Sequence, residues 1–520
     1  MGVVPDRGGG MALFESMILL SLLAVVLLRL SRRLALPYPT ILAAAGTAVA
    51  ALPWAPHIAM DPKLALVLFI APVLLDAGFD MPPRTLRRFW LPTVSLAVVA
   101  VILTTIAVAW LGVAWAGMPI AAAVALGAIV APPDAGAATA MLSRLNLPRR
   151  TVQVLTAESL LNDASALLIF GVAVRTAMSA EGLSHTVPLL LLAVPGGLLL
   201  GWILGRLFIH LARQLRGTLS ATLSQFASVF GVWLVAEYLH VSAILCVVSF
   251  AMTIAHVMPG ETPPRDRVHA YSVWAAVVFI SNVMAFLLVG LQSRTIIARL
   301  QGPQLEHALW FAGVTLLVCI GVRFAWVMLY NVLLRRFRRS QPNPTPQQGL
   351  VVAWCGMRGL VTLATALALP DNFPQRDLIV LTAFAVTVGT LVFQGTTLAW
   401  LVRYLDFDRD ASLRNDASKV RLVLLDAAEA TLDGETDEAA RRVREHYADA
   451  RHEAEAGRDP VTGTRMSELK RKGLQAKRQR LLELRHKGDI DDDVFHLLEN
   501  ELDWSELAVT SPDDREIVEG

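Results

Sequence analysis

Charge is what this chain has least of. Asp, Glu, Lys and Arg make up 17% of its 520 residues against 55% for apolar and aromatic side chains, and the mean hydropathy is +0.52. So little charge over so much apolar surface excludes an ordinary water-soluble globular protein. Cysteine is also scarce: Cys246, Cys319 and Cys355 each stand alone in apolar sequence, without the paired spacing of a zinc site or a disulfide framework, and read as small core residues. The start, MGVVPD, lacks the hydroxyl residue at position six that N-myristoylation favours. No small-residue cleavage signal follows the first apolar run, which is therefore expected to stay as a span. No GxGD or HExxH stretch occurs and no serine-triad context, which argues against an intramembrane hydrolase. Acidic residues are sparse before about residue 400 and frequent after it, so a formal charge of +2 conceals a basic apolar part joined to a mixed-charge tail.

What is present is a series of long apolar runs. Crossing about 30 Å of hydrocarbon takes about 20 apolar residues, and thirteen such stretches occur, near 11–30, 36–54, 63–80, 89–114, 119–142, 151–174, 186–209, 219–238, 241–257, 270–291, 305–334, 348–369 and 377–403. Every second connection is rich in arginine: Arg29, Arg32 and Arg33; Arg84, Arg87 and Arg88; Arg144, Arg149 and Arg150; Arg206, Arg213 and Arg216; Arg265 and Arg267; then Arg335, Arg336, Arg338 and Arg339. The others hold little beyond Lys63, Arg175, Arg294, Arg299 and Arg376. Because Lys and Arg of short loops stay in the cytoplasm, the amino terminus is expected outside and the carboxyl terminus inside. The expected fold class is an all-α polytopic membrane protein. Two inverted six-helix repeats with discontinuous helices flank the seventh span over residues 1–407, and a helical tail follows over 408–520.

Two stretches carry helix breakers at matching places, the fifth helix of each half: Ala131-Pro132-Pro133-Asp134-Ala135-Gly136 and Cys355-Gly356-Met357-Arg358-Gly359. Matched breaks in inverted repeats point to a substrate site near the midplane, where unwound backbone and half-helix ends supply dipoles. Beside them, TVQVLTAESLLNDASALLIFGVAV is apolar except for Glu158, Ser159, Asn162 and Asp163. At about 100° per residue these fall at roughly 0°, 100°, 40° and 140°, one side of a helix. A charge at the centre of a membrane helix costs at least ~2.5–3.5 kcal/mol, so such a residue signals function. Burial disfavours the charged carboxylate and a bound cation favours it, which makes proton and metal ion competitors for Asp163. Oxygen ligands suit a hard ion such as Na+, and Ser159, one turn away, offers a hydroxyl. Asp134 sits where the positive end of the following half-helix would stabilise its charge. Asp76 and Arg358 have opposite signs and are expected to neutralise each other, as are Glu158 and Arg323.

At these residues the sequence resembles the NhaP-like and eukaryotic sodium-proton exchanger family. The motifs are Glu158-Ser159-Leu160-Leu161-Asn162-Asp163, the APVLLDAGF of the third stretch, the GMRGLVTLATALALP of the twelfth and the VFQGTTL of the thirteenth, in order over about 15–405. The resemblance implies a thirteen-helix antiporter with a dimerisation domain beside a mobile core domain, elevator-like alternating access and a homodimer in the inner membrane. It implies that Asp163 carries cation and proton in turn, with Ser159 and the break at Pro133 and Asp134 contributing ligands. It also implies that Arg323 is similar to the arginine that binds Glu158 and Asn162, and Arg358 to the one facing Asp76. No cofactor is implied; the cargo is Na+, or K+ in a sister activity. One departure stands out: the family has Thr-Asp-Pro where this chain has Pro133-Asp134-Ala135, so a threonine oxygen is missing and a carbonyl must substitute. Asn162 beside Asp163, in place of a second aspartate, resembles the electroneutral branch.

The tail alternates charged and apolar residues in helical fashion. Leu481, Leu482, Leu484, Leu497, Leu498 and Leu502 suggest amphipathic faces joined by a turn at Gly488-Asp489-Ile490-Asp491. Its basic run from Lys470 to Arg480 is flanked by acidic residues, which speaks against nucleic-acid binding. A regulatory or dimer-contact role is expected.

Overall fold

The computed structural model describes residues 9–34, 36–52, 64, 66–81, 83–134, 147–178, 183–215, 218–299, 302–337, 345–407, 412–456, 465–487, 489 and 492–509. Lys63, Ala135, Gly136, Arg144, Arg216, Arg338, Arg339, Gly488, Ile490 and Asp491 lie outside them. Among the described residues the regular structure is helical and no strand occurs.

The chain divides into two compact units, Met1–Asp408 and Arg409–Glu519. The first carries α1 (Gly9–Leu34), α2 (Tyr38–Ala50), α3 (Ala71–Phe79), α4 (Pro83–Arg88), α5 (Trp90–Val94), α6 (Val101–Ala116), α7 (Ile120–Val130), α8 (Arg149–Met178), α9 (Leu183–Gln214), α10 (Leu219–Tyr238), α11 (Ala243–Glu261), α12 (Pro264–Leu291), α13 (Ser293–Ala298), α14 (Pro303–Phe337), α15 (Pro346–Trp354), α16 (Leu360–Leu367) and α17 (Arg376–Leu405). Helix lies within each apolar stretch marked out above, and the twelfth holds two short helices, α15 and α16, on either side of the Cys355–Gly359 break. Among the described residues six segments are long and apolar enough to cross a membrane: Trp90–Ala116, Arg149–Met178, Leu192–Gln214, Asp266–Leu291, Pro303–Arg336 and Arg376–Leu405. Leu19, Leu22, Val25, Val26, Ile106, Trp110, Leu317 and Trp400 are all exposed. Apolar faces of that extent suit lipid and would be a liability in water. The protein is a multi-pass membrane protein.

Lipid gives helices no hydrophobic reason to associate, so close packing depends on small residues. Gly197, Gly201 and Gly205 form such a seam on α9. A β-carbon at Gly197 would stand 2.6 Å from the Ser242 carbonyl oxygen, one at Gly205 would stand 2.8 Å from Thr253 Cβ, and one at Gly201 would run into the Cys246 carbonyl. Gly46 and Gly290 let α2 and α12 touch backbone to backbone in the same way. Two π-helical turns, Leu66–Ile70 before α3 and Ser95–Ala100 between α5 and α6, widen the local ladder. At the second, the Trp326 indole of α14 donates to the Ser95 carbonyl at 3.0 Å and its hydroxyl at 3.1 Å.

The second unit comprises α18 (Ser412–Ala430), α19 (Glu438–Glu455), α20 (Arg465–Lys487) and α21 (Asp492–Val509), which pair as two helical hairpins. Each is clamped by one arginine: Arg451 bridges Asp426 and Glu429, and Arg478 bridges Asp503 and Glu506. Asp437 caps α19 by accepting the Ala440 amide at 2.7 Å. On the same helix, hydrogen bonds from Arg441 and then Arg442 hold the Glu438 carboxyl below its usual range. Of the tail leucines only Leu481 is buried; Leu484 and Leu502 are half-buried, and Leu482, Leu497 and Leu498 are exposed. On α21 Phe495 is buried, as suits a two-helix hairpin with only one narrow seam to cover.

Candidate functional site

The two helix breaks cross. α7 ends at Val130 and its chain continues, non-helical, through Ala131 to Asp134; α15 ends at Trp354 and resumes as α16 at Leu360. Unwound backbone inside a membrane protein must find its hydrogen bonds within the protein, and here each break supplies the other. The Asp134 amide donates to the Met357 carbonyl at 2.6 Å. In return the Arg358 Nε donates to the Val130 carbonyl at 2.9 Å, and the same guanidinium donates to Gly356 O within its own break. The Arg358 amide donates to Thr390 Oγ1 on α17 at 3.0 Å. The fit is tight enough that a β-carbon at Gly359 would coincide with an Asp134 carboxylate oxygen.

Arg323 of α14 does two things at once. Its guanidinium grips Glu158 of α8 with both terminal nitrogens, at 2.5 and 3.0 Å, the forked geometry for which arginine is suited. Nε and Nη2 also donate to the Val352 carbonyl, at 3.3 and 3.0 Å, in the last turn of α15. Each arginine thus caps the carboxyl end of one half-helix, α7 for Arg358 and α15 for Arg323, where unpaired carbonyls and the negative end of the helix dipole call for a cation. Gly356 makes room for this, because a β-carbon there would meet the Arg323 Cδ at 2.5 Å.

Two sequence expectations are corrected by this geometry. Arg358 does not neutralise Asp76: its guanidinium is taken up by the backbone carbonyls of Val130 and Gly356, while Asp76 lines a separate cavity with Arg213 and Arg267. Arg323 holds Glu158 as expected, but Asn162 does not join them. The Asn162 Nδ2 donates instead to the Pro133 carbonyl at 2.6 Å, tying α8 to the first break. That bond uses one of the two lone pairs of the Pro133 carbonyl oxygen. The other side of the same amide, Oδ1 of Asn162, is buried without a hydrogen-bond partner.

Glu158, Asn162 and Asp163 are buried at 1%, 0% and 8% exposure, with Ser159 half-buried on the same helix. Among the described residues no donor hydrogen-bonds the Asp163 carboxylate, whose electrostatic neighbour is Asp134 at the break. The half-helix expected to follow Asp134 lies outside the described residues. Sequence reasoning missed the helix-capping role of both arginines and the fit of Gly359 on Asp134. The signal present was the coincidence, in one short break, of an arginine between two glycines.

An all-helical membrane chain with two crossed helix breaks beside buried carboxylates has the architecture of a secondary transporter. A family model described as the transmembrane sodium/hydrogen exchanger matches residues 18–404, and the chain belongs to that family. It is 29% identical to an uncharacterised Na+/H+ exchanger of Mycobacterium bovis, over 97% of this chain and 98% of that one. It is 30% identical to a sodium, potassium, lithium and rubidium/H+ antiporter of Bacillus pumilus, over 76% of this chain and 62% of that one. Among solved structures it is similar to the sodium proton antiporter MjNhaP1 of Methanocaldococcus jannaschii, with a TM-score of 0.61 at 15% identity, covering 76% of this chain and 99% of that one. It is an antiporter of the sodium/proton exchange type, and its relatives are transporters rather than enzymes.

Proposed function

We propose that the chain exchanges a monovalent cation, Na+ first among them, for H+ by alternating access, with Asp163 binding the ion and the proton in turn. The observation that carries this reading is the contrast between two buried carboxylates on one helix. Glu158 has its charge matched by Arg323 at 2.5 Å, whereas Asp163 has no donor among the described residues and stands near Asp134. Carboxylates that stand near one another repel, and a shared proton or a metal ion relieves that repulsion. The Asp163 carboxylate, the Ser159 hydroxyl and the unpartnered Asn162 Oδ1 are the oxygens available as ligands, and the cation is cargo rather than a resident cofactor.

Asn162 is neutral, so each cycle moves one cation against one proton and no net charge. The same reading has the amino terminus outside, the tail in the cytoplasm as a regulatory domain, and the chain as a homodimer in the inner membrane. K+/H+ exchange at the same carboxylate is the second reading. It is favoured by the missing threonine oxygen at the first break and by a relative whose name spans four alkali cations. The experiment is cation-dependent dequenching of a pH dye in everted membrane vesicles, with Na+, K+ and Li+ in turn. Proton flux driven by none of the three overturns the proposal.

A further inference from the structure

Away from the crossed breaks, α3, α9, α10, α11 and α12 enclose a cavity of about 450 Å³. That volume lies within the range of small-molecule sites, which are mostly apolar with a few placed polar groups. Its depth is walled by Phe208, Phe250, Ile254 and Trp274, all buried side chains. The wall is fixed rather than soft. Phe208 packs edge-on against Phe250 with centroids 5.6 Å apart, and Trp274 stacks on Phe226 at 4.7 Å while its indole donates to Gln225 at 3.0 Å.

The rim has different chemistry. Asp80 is the C-cap of α3, Arg213 lies in the last turn of α9, and Asp266 in the first turn of α12, with Arg267 beside it. Asp76 lies one turn before Asp80 on α3; the other charged residues stand where helices end and the apolar ones where they run, the gradient of a membrane–water boundary. Arginines at helix ends reach for that boundary in any case, but here cations and carboxylates share one opening.

We propose that this cavity is a lipid site and that its occupant is phosphatidylethanolamine. One acyl chain fills the aromatic depth, the phosphate lies against Arg213 and Arg267, and the primary ammonium donates to Asp80 and Asp266. The two signs at the rim select the headgroup. A choline ammonium has no N–H to donate to a carboxylate, and a glycerol headgroup brings no cation to the acidic residues.

The test reads lipid, not ion flux, so it stands apart from the exchange reading. Protein purified in mild detergent is extracted, and its bound lipids are compared by mass spectrometry with the source membrane. Melting of delipidated protein is then followed on adding phosphatidylethanolamine, phosphatidylcholine or phosphatidylglycerol. The expected result is several-fold enrichment of phosphatidylethanolamine and a rise in melting temperature specific to it, both reduced several-fold in Arg267→Gln and in Asp80→Asn. Ala270→Phe, which fills the cavity from α12, is expected to abolish the rise; if that variant fails to fold, the two rim variants decide. Bound lipid that matches the membrane, enrichment of phosphatidylglycerol instead, or an equal response in wild type and rim variants overturns the proposal.

Discussion

Asp163 and Gly359 show two ways in which a single position matters here. Asn is nearly isosteric with protonated Asp, so on the proposed reading Asp163→Asn mimics one state of the cycle and cannot reach the other. The variant is expected to lose cation-driven proton flux while its melting temperature stays the same or rises slightly, since an uncompensated buried carboxylate has been removed. Vesicle flux measured beside a melting curve separates this from a structural role, which would cost fold and function together. Gly359→Ala is expected to do the reverse of Asp163→Asn. Its β-carbon has no space beside the Asp134 side chain, so Asp134 must be displaced from the crossing at a cost of about 1–3 kcal/mol, seen as a lower melting temperature accompanied by lost exchange. A normal melting curve for Gly359→Ala would show that the crossing is looser than described. The burial of Asp163 was legible because its helix is apolar on either side of the Glu158–Asp163 cluster. Gly359 was not, because its neighbour is far away in sequence and only the crossing brings the two together.

At the scale of elements, the half-helices depend on two arginines from different places in the chain. Arg323→Ala removes both the partner of Glu158 and the donor to Val352, leaving a buried charge and an uncapped α15. Losing one partner of a buried ion pair costs about 3–5 kcal/mol. Arg323→Ala is therefore expected to fall well below wild type in yield and melting temperature, and Arg323→Lys to recover only part because an ammonium cannot serve both groups in fork geometry. If Arg323→Ala melts like wild type, the pairing has no structural weight. The breaks themselves were readable from Pro132-Pro133 and from Gly356 and Gly359, since these residues interrupt helices for reasons of backbone geometry alone. The partner of Arg358 was misread as Asp76. Opposite charge is a weak guide inside lipid when backbone carbonyls of a broken helix compete for the same guanidinium.

For the whole molecule, the long apolar runs gave the multi-pass architecture directly, because hydrocarbon thickness sets the period. Which helices approach most closely was a matter of shape, visible only once Gly197, Gly201 and Gly205 met α11. If Asp163 is the single exchanging carboxylate, proteoliposomes clamped with valinomycin and K+ gradients should exchange at a rate that ignores the imposed voltage. A rate that tracks the voltage would contradict one-for-one exchange.

The crossing of the two breaks has a further consequence in time. Asp134 lies in non-helical backbone, where an amide proton would ordinarily trade with solvent deuterium quickly. Its N–H is held by Met357 O at 2.6 Å, on a segment that itself is anchored through Thr390. Deuterium uptake at Asp134 should therefore be as slow as in the flanking helices, since releasing it requires the breaks to part. If the protein samples such parting during its working cycle, uptake there will quicken when cargo is supplied, making that one amide a clock for the opening of the site.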